Sequence, residues 1–171
     1  MSIYDELLAR VNERPPRLYE LQPQMPGTLA LRRMFLSEDL YRRTNEPWES
    51  EEFGHLRALM ERFVSGGRIS LRFPPSKSVQ AHFALLDPIA EGAWEIRSRE
   101  SDPQLRVFGH FAKTDAFVAL TWDQRPNLDT HEAWRFAIKA SQSQWRRLFS
   151  PYKPLVGTNP NDYVSTKCFL V

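Results

Sequence analysis

The residues with most chemical promise fall in "EGAWEIRSRESDPQLRVFGHFAKTDAFVALTW", residues 91–122. Read as alternating strands, it sets Trp94 and Ile96 on one face. Glu95, Arg97 and Arg99 take the other. Arg106 and His110 alternate along the second strand. Neighbouring strands lie about 4.8 Å apart, so side chains from two strands can converge on one phosphate. Arginine forks bind phosphate bidentately. Cleavage of RNA by its own 2′-hydroxyl needs a proton acceptor, cationic donors for the phosphate and an acid for the leaving 5′-oxygen. Arg97 and Arg106 suit the second role, and His110 or Glu95 suits the first or third. The competing expectation is a solvated sheet face on which Glu95 pairs with Arg97 or Arg106.

Other chemistries find little support. No GxGxxG, Walker A or GxSxG pattern occurs. His55, His82, His110 and His131 are far apart, without HxH or HExxH spacing, so neither metal nor cofactor is expected. The single cysteine, Cys168, excludes an internal disulfide. The N-terminus carries Asp5 and Glu6 and reads as no signal peptide, and no apolar run of membrane-spanning length exists, so a cytoplasmic protein without a membrane partner is expected. Charge is uneven. Residues 45–52 carry four glutamates and no base, whereas residues 133–161 hold Arg135, Lys139, Arg146, Arg147 and Lys153 and no acid. A basic stretch of that kind faces either solvent or an anionic partner.

The elements that must position these residues follow from periodicity. Ser2 and Asp5 form a capping box for a helix over 2–13. LALRRMFL (29–36) is ambiguous between strand and helix. Ser37 can cap SEDLYRR (37–43), and Asn45 with Pro47 can open the next helix, which Gly66 and Gly67 stop. RISLRF (68–73) alternates as a strand. SKSVQAHFALLD (76–87) suggests a short helix through Val79, Phe83 and Leu86. Strands follow at about 93–99, 105–111 and 116–122, then a helix over about 130–149. Its buried stripe is Trp134, Ala137, Ile138, Trp145 and Leu148. The fold class is α+β: a small antiparallel sheet, made of the 93–122 meander and a strand near 68–73, packed against N-terminal and C-terminal helices. Residues 1–50 read as a helical extension, 51–149 as the core and 150–171 as an irregular tail.

This core resembles the RelE/HigB-like toxin superfamily, in a phage-derived HigB-like form. Trp94-Glu95-Ile96-Arg97 is similar to that family's Trp/Tyr-Glu-Leu-Arg strand. Leu105-Arg106-Val107-Phe108 is similar to its second strand, and Ala116–Leu120 to its third. The resemblance implies ribosome-associated mRNA cleavage without metal, neutralised by an antitoxin. It implies that Arg97 and Arg106 bind the scissile phosphate and that His110 transfers protons. Arg99, Arg125, Arg146 and Arg147 would hold RNA. Where that family carries lysines after the third strand, this chain has Thr121-Trp122-Asp123-Gln124-Arg125, with Arg125 as a partial stand-in. A different class of function is a non-catalytic phage or mobile-element protein that inhibits a host protein. Its aromatic and basic surface would be anchored by Trp48, Trp122 and Trp145.

Overall fold

Local capping chemistry starts the chain as a helix. In the computed structural model, which describes residues 1–45 and 50–171, Ser2 and Asp5 close the capping box of helix α1 (Ile3–Asn12). Helix α2 (Glu38–Asn45) follows, and α3 (Glu51–Val64) begins at the Ser50 cap, whose hydroxyl accepts from Phe53 N–H. Asn45 therefore ends one helix and does not open the next. The expected role of Pro47, and Trp48, lie outside the described residues. Gly66, at φ +81°, ends α3 in a backbone conformation that side chains with a Cβ rarely adopt. Helix α4 (His131–Phe149) starts from the Thr130 cap, and α5 (Pro160–Tyr163) is a single turn.

Among the described residues, eight strands form one sheet in the order β1-β2-β7-β6-β5-β4-β3-β8. They are β1 (Tyr19–Glu20), β2 (Arg33–Leu36), β3 (Ile69–Arg72), β4 (Phe83–Leu85), β5 (Ala93–Ser98), β6 (Leu105–Lys113), β7 (Ala116–Gln124) and β8 (Cys168–Leu170). The fold is α+β. The sheet is neither small nor wholly antiparallel: β2 runs parallel to β7, and β3 runs parallel to both β4 and β8. Residues 1–50, expected as a helical extension, supply two of its strands. Residues 150–171, expected as an irregular tail, supply β8 and α5. The helix expected over 76–87 is absent. Val79 is exposed there, while Phe83 and Leu85 turn into the core as β4 between β3 and β5.

Both faces of the sheet are covered. Trp94, Ile96, Leu105, Val107, Phe111 and Phe117 pack with Leu56, Met60 and Phe63 of α3 and Tyr163 of α5. Trp94 stands edge-on to Tyr163 at 4.7 Å and to Phe111 at 5.3 Å. Such pairs contribute about 0.5–1.5 kcal/mol each beyond their buried area. On the opposite face, Phe35, Val118 and Leu120 pack with Leu7 of α1 and with Trp145 and Phe149 of α4. Phe108 and Ala93 lie under the first turns of α4, against Trp134 and Ile138. The β6–β7 register slips between Phe108 and Gly109, and a Cβ on Gly109 would stand 2.1 Å from Val118 O. The strands approach there as only glycine permits. Arg32, buried at 2% exposure, ties distant segments by donating to Phe63 O, Gly67 O and Thr166 O.

Candidate functional site

Alternation along β5 and β6 does set Glu95, Arg97, Arg106 and His110 on one face, and Arg97 sits directly opposite Arg106. That face is the one α4 covers, so it is buried, not solvated. Glu95 has 1% exposure and gathers three guanidiniums. Arg97 Nε donates to its Oε1 at 2.7 Å, Arg106 Nε lies 3.4 Å from Oε2, and Arg72 Nη2 lies 3.8 Å from Oε1. Arg72 extends the cluster from β3; its alternate position in RISLRF already marked it as lying opposite Ile69 and Leu71.

The cluster is built to hold itself. Arg97 Nη1 donates to Ser78 O at 3.0 Å. Arg106 donates to Leu105 O at 3.0 Å and to Gln104 Oε1 at 3.1 Å. Burial lowers the Arg106 guanidinium to about 10, against the pull of Glu95. Three cations around one carboxylate leave a positive surplus, and Arg72 Nε, Arg106 Nε and Glu95 Oε2 are buried without hydrogen-bond partners among the described residues. The arrangement fixes adjacent strands. It presents little of Arg106 to a ligand, because that side chain is 8% exposed.

His110 stands apart from the cluster, with 0% exposure. Its Nδ1 lies 3.0 Å from Gly92 O, and its Nε2 lies 3.1 Å from Ser141 Oγ of α4. A carbonyl accepts only, so Nδ1 carries the proton and Nε2 accepts from the Ser141 hydroxyl. Trp145 lies against the ring at 5.3 Å. Burial lowers this imidazole to about 4, outweighing the hydrogen bonds to Gly92 and Ser141. The ring is neutral, both of its nitrogens are occupied, and none of its surface meets solvent.

The remaining sequence candidates are outside. Arg99 Nη1 donates to Val79 O at 2.8 Å. Arg125 is exposed, donates to Leu128 O at 2.8 Å and lies over Trp134 at 5.7 Å. Arg146 and Arg147 are exposed on α4. Of the proposed aromatic anchors, Trp145 is buried at 2% exposure. Trp122 packs edge-on to Phe53 at 5.0 Å and donates to Asp39 Oδ2 at 2.6 Å.

The outward face of α4 has a composition of its own. Arg135, Phe136, Lys139, Ser143, Arg146 and Arg147 recur at helical spacing and are exposed, Phe136 to 76%. Among the described residues no ion pair holds any of the four cations, and the Arg146 guanidinium meets only Ser143 Oγ, at 3.5 Å. Acid enters this helix only at Glu132, in its first turn. Phe136 escaped the sequence reading because it interrupts the polar face of an amphipathic helix and belongs to no apolar stripe. Among the described residues no group of three or more His, Cys, Asp or Glu is placed to hold a metal ion, and no helix is long and apolar enough to cross a membrane. Compared with known proteins, the chain matches no family model, no curated protein and no solved structure.

Proposed function

We propose that this protein binds RNA along the outward face of α4 and holds the strand without cutting it. One observation carries this reading: four cations without an ion pair among the described residues flank an exposed phenylalanine along about 18 Å of helix, from Arg135 to Arg147 at 1.5 Å per residue. Sugar-phosphate backbone is held by such cations, and an exposed ring offers a base a surface to stack on. The groups a RelE/HigB-like cleavage would use are placed otherwise. Arg97 and Arg106 close on Glu95, and His110 lies beneath α4. Cleavage would require α4 to lift from the sheet.

The test is fluorescence anisotropy with single-stranded RNA across a salt series. Binding should weaken with salt, each phosphate contact adding about −0.7 to the slope of log K against log salt. Arg146→Ala with Arg147→Ala should flatten that slope by about 1.4, two contacts' worth. The RNA should be recovered intact, and inducible expression should not stop growth through mRNA loss. Cleavage abolished by Arg97→Ala would reinstate the nuclease. Capture of an acidic host protein or an antitoxin on the same face, with no affinity for RNA, would replace RNA by protein as the partner.

A further inference from the structure

A second basic site lies against α3, the helix packed on the other face of the sheet from α4. Here β5 ends, β4 begins, and the two enclose a cavity of 230 Å³ with the side of α3. His55, Leu59 and Arg62 line it from α3, at successive helical turns. His82 lines it from the residue before β4, and Arg97, Ser98 and Arg99 from the end of β5. Glu100, exposed, is the acid of the lining.

Two side chains here, Ser98 and Arg62, have polar atoms without a hydrogen-bond partner among the described residues, while His55 lies 3.6 Å from Glu51. Ser98 is 2% exposed and its hydroxyl is buried without a hydrogen-bond partner among the described residues. A buried hydroxyl left unpaired costs about 1–3 kcal/mol, so its presence in a cavity wall points to a ligand that satisfies it. His82 Nδ1 accepts from Ser70 N–H at 2.9 Å, which places the ring proton on Nε2 as a donor. Burial, with Arg62 and Arg99 nearby, keeps that ring below its usual range. Arg62 has no side-chain hydrogen bond among the described residues, and Arg99 commits one nitrogen to Val79 O. Arg97 borders the cavity from β5, but its guanidinium is committed to Glu95 Oε1 and Ser78 O on the α4 side of the sheet.

We propose that this cavity binds a phosphate group, held by the forks of Arg62 and Arg99 with the Ser98 hydroxyl and His82 Nε2–H. Guanidinium forks match the oxygens of a phosphate, and neutral donors complete its shell. The volume falls below the roughly 300 Å³ at which pockets for larger organic ligands begin, so the site takes the phosphate and leaves any attached group outside. The inference stands apart from RNA binding on α4, because the two sites share no residue.

The test uses the full chain with inorganic phosphate and, separately, adenosine 5′-monophosphate, followed by calorimetry and by the His82 ring signals in NMR. Saturable binding that perturbs His82 is expected. Affinity should fall about tenfold for Arg62→Ala and for Arg99→Ala, the loss of one charge-assisted contact. Arg62 and Arg99 can be replaced without opening the core. Ser98→Ala should bind phosphate more weakly while the unliganded protein becomes no less stable, because an unpaired buried hydroxyl has been removed. Comparable affinity for both ligands identifies free phosphate as sufficient; preference for the nucleotide identifies a phosphate monoester. Both outcomes support the site. Arg146→Ala and Arg147→Ala should leave phosphate binding unchanged. Absence of saturable binding at millimolar phosphate, or affinity unaffected by both Arg62→Ala and Arg99→Ala, overturns the proposal.

Discussion

Two sets of arginines divide the protein's positive charge and spend it differently. On the sheet, Arg72, Arg97 and Arg106 surround Glu95 in the interior. On α4, Arg135, Arg146 and Arg147 stand in solvent without an ion pair among the described residues. The residue type is the same, and the strand letters around Arg97 and Arg106 look the more suggestive of chemistry. The difference lies in the covering helix. Once α4 lies on the sheet, strand arginines must find a counter-charge or be expelled, whereas helix arginines on the far side need none. Removing the counter-charge breaks the comparison most severely. Glu95→Gln keeps the shape and leaves the buried Arg106 and the partly buried Arg72 and Arg97 uncompensated, which should cost about 3–5 kcal/mol of stability in denaturant unfolding. A change under about 1 kcal/mol would mean that the cluster is hydrated and open to ligands after all.

His110 sharpens the same contrast through pH. Its folded value of about 4 lies below the ordinary histidine value of 6.5. As pH falls from 6.5 toward 4, the unfolded chain takes a proton that the folded chain refuses. Stability should therefore fall across that window, by about 3 kcal/mol at 1.36 kcal/mol per unit. His82, also lowered by burial, adds a slope of the same sign. Comparing the wild type with His110→Gln isolates the His110 part: the variant should show the shallower decline between pH 6.5 and 4. An NMR titration placing the His110 ring near 6.5 would mean that α4 opens readily, and would restore its candidacy for proton transfer.

The legible part of this molecule was the part with long periods. The α1 capping box, α4 with its buried Trp145, and the β5–β6–β7 meander all follow from alternation or helical spacing over six residues or more. Strands β1, β2, β4 and β8 are two to four residues long, too short to alternate visibly, and the sheet's width went unseen with them. Phe83 and Leu86 fit a helical spacing as well as a strand's neighbourhood. Only pairing with β3 and β5, remote information, decides for β4. For the site, period two placed Glu95, Arg97, Arg106 and His110 on one face correctly, and the pairing of Glu95 with both arginines was foreseeable. Which face α4 would cover was not, because both faces carry enough apolar residues to attract a helix. The phosphate cavity joins residues of α3 to the ends of two strands, a juxtaposition no local pattern encodes.

Phe136 gives the comparison its finest test. On the buried side of α4, Trp145 contacts His110 and Phe149, and truncating it would cost core packing. Phe136, one face round and 76% exposed, has no such contacts to lose. Exposed apolar area is retained at no benefit to folding, so Phe136→Ala should shift unfolding by less than about 0.5 kcal/mol. If the ring stacks a base, the same variant should weaken single-stranded RNA by about 1–3 kcal/mol while leaving the salt slope unchanged, because stacking releases no counterion. Phe136→Trp should recover the affinity. A variant that binds RNA as the wild type does would reduce the α4 face to its cations alone, with the ring a bystander among them.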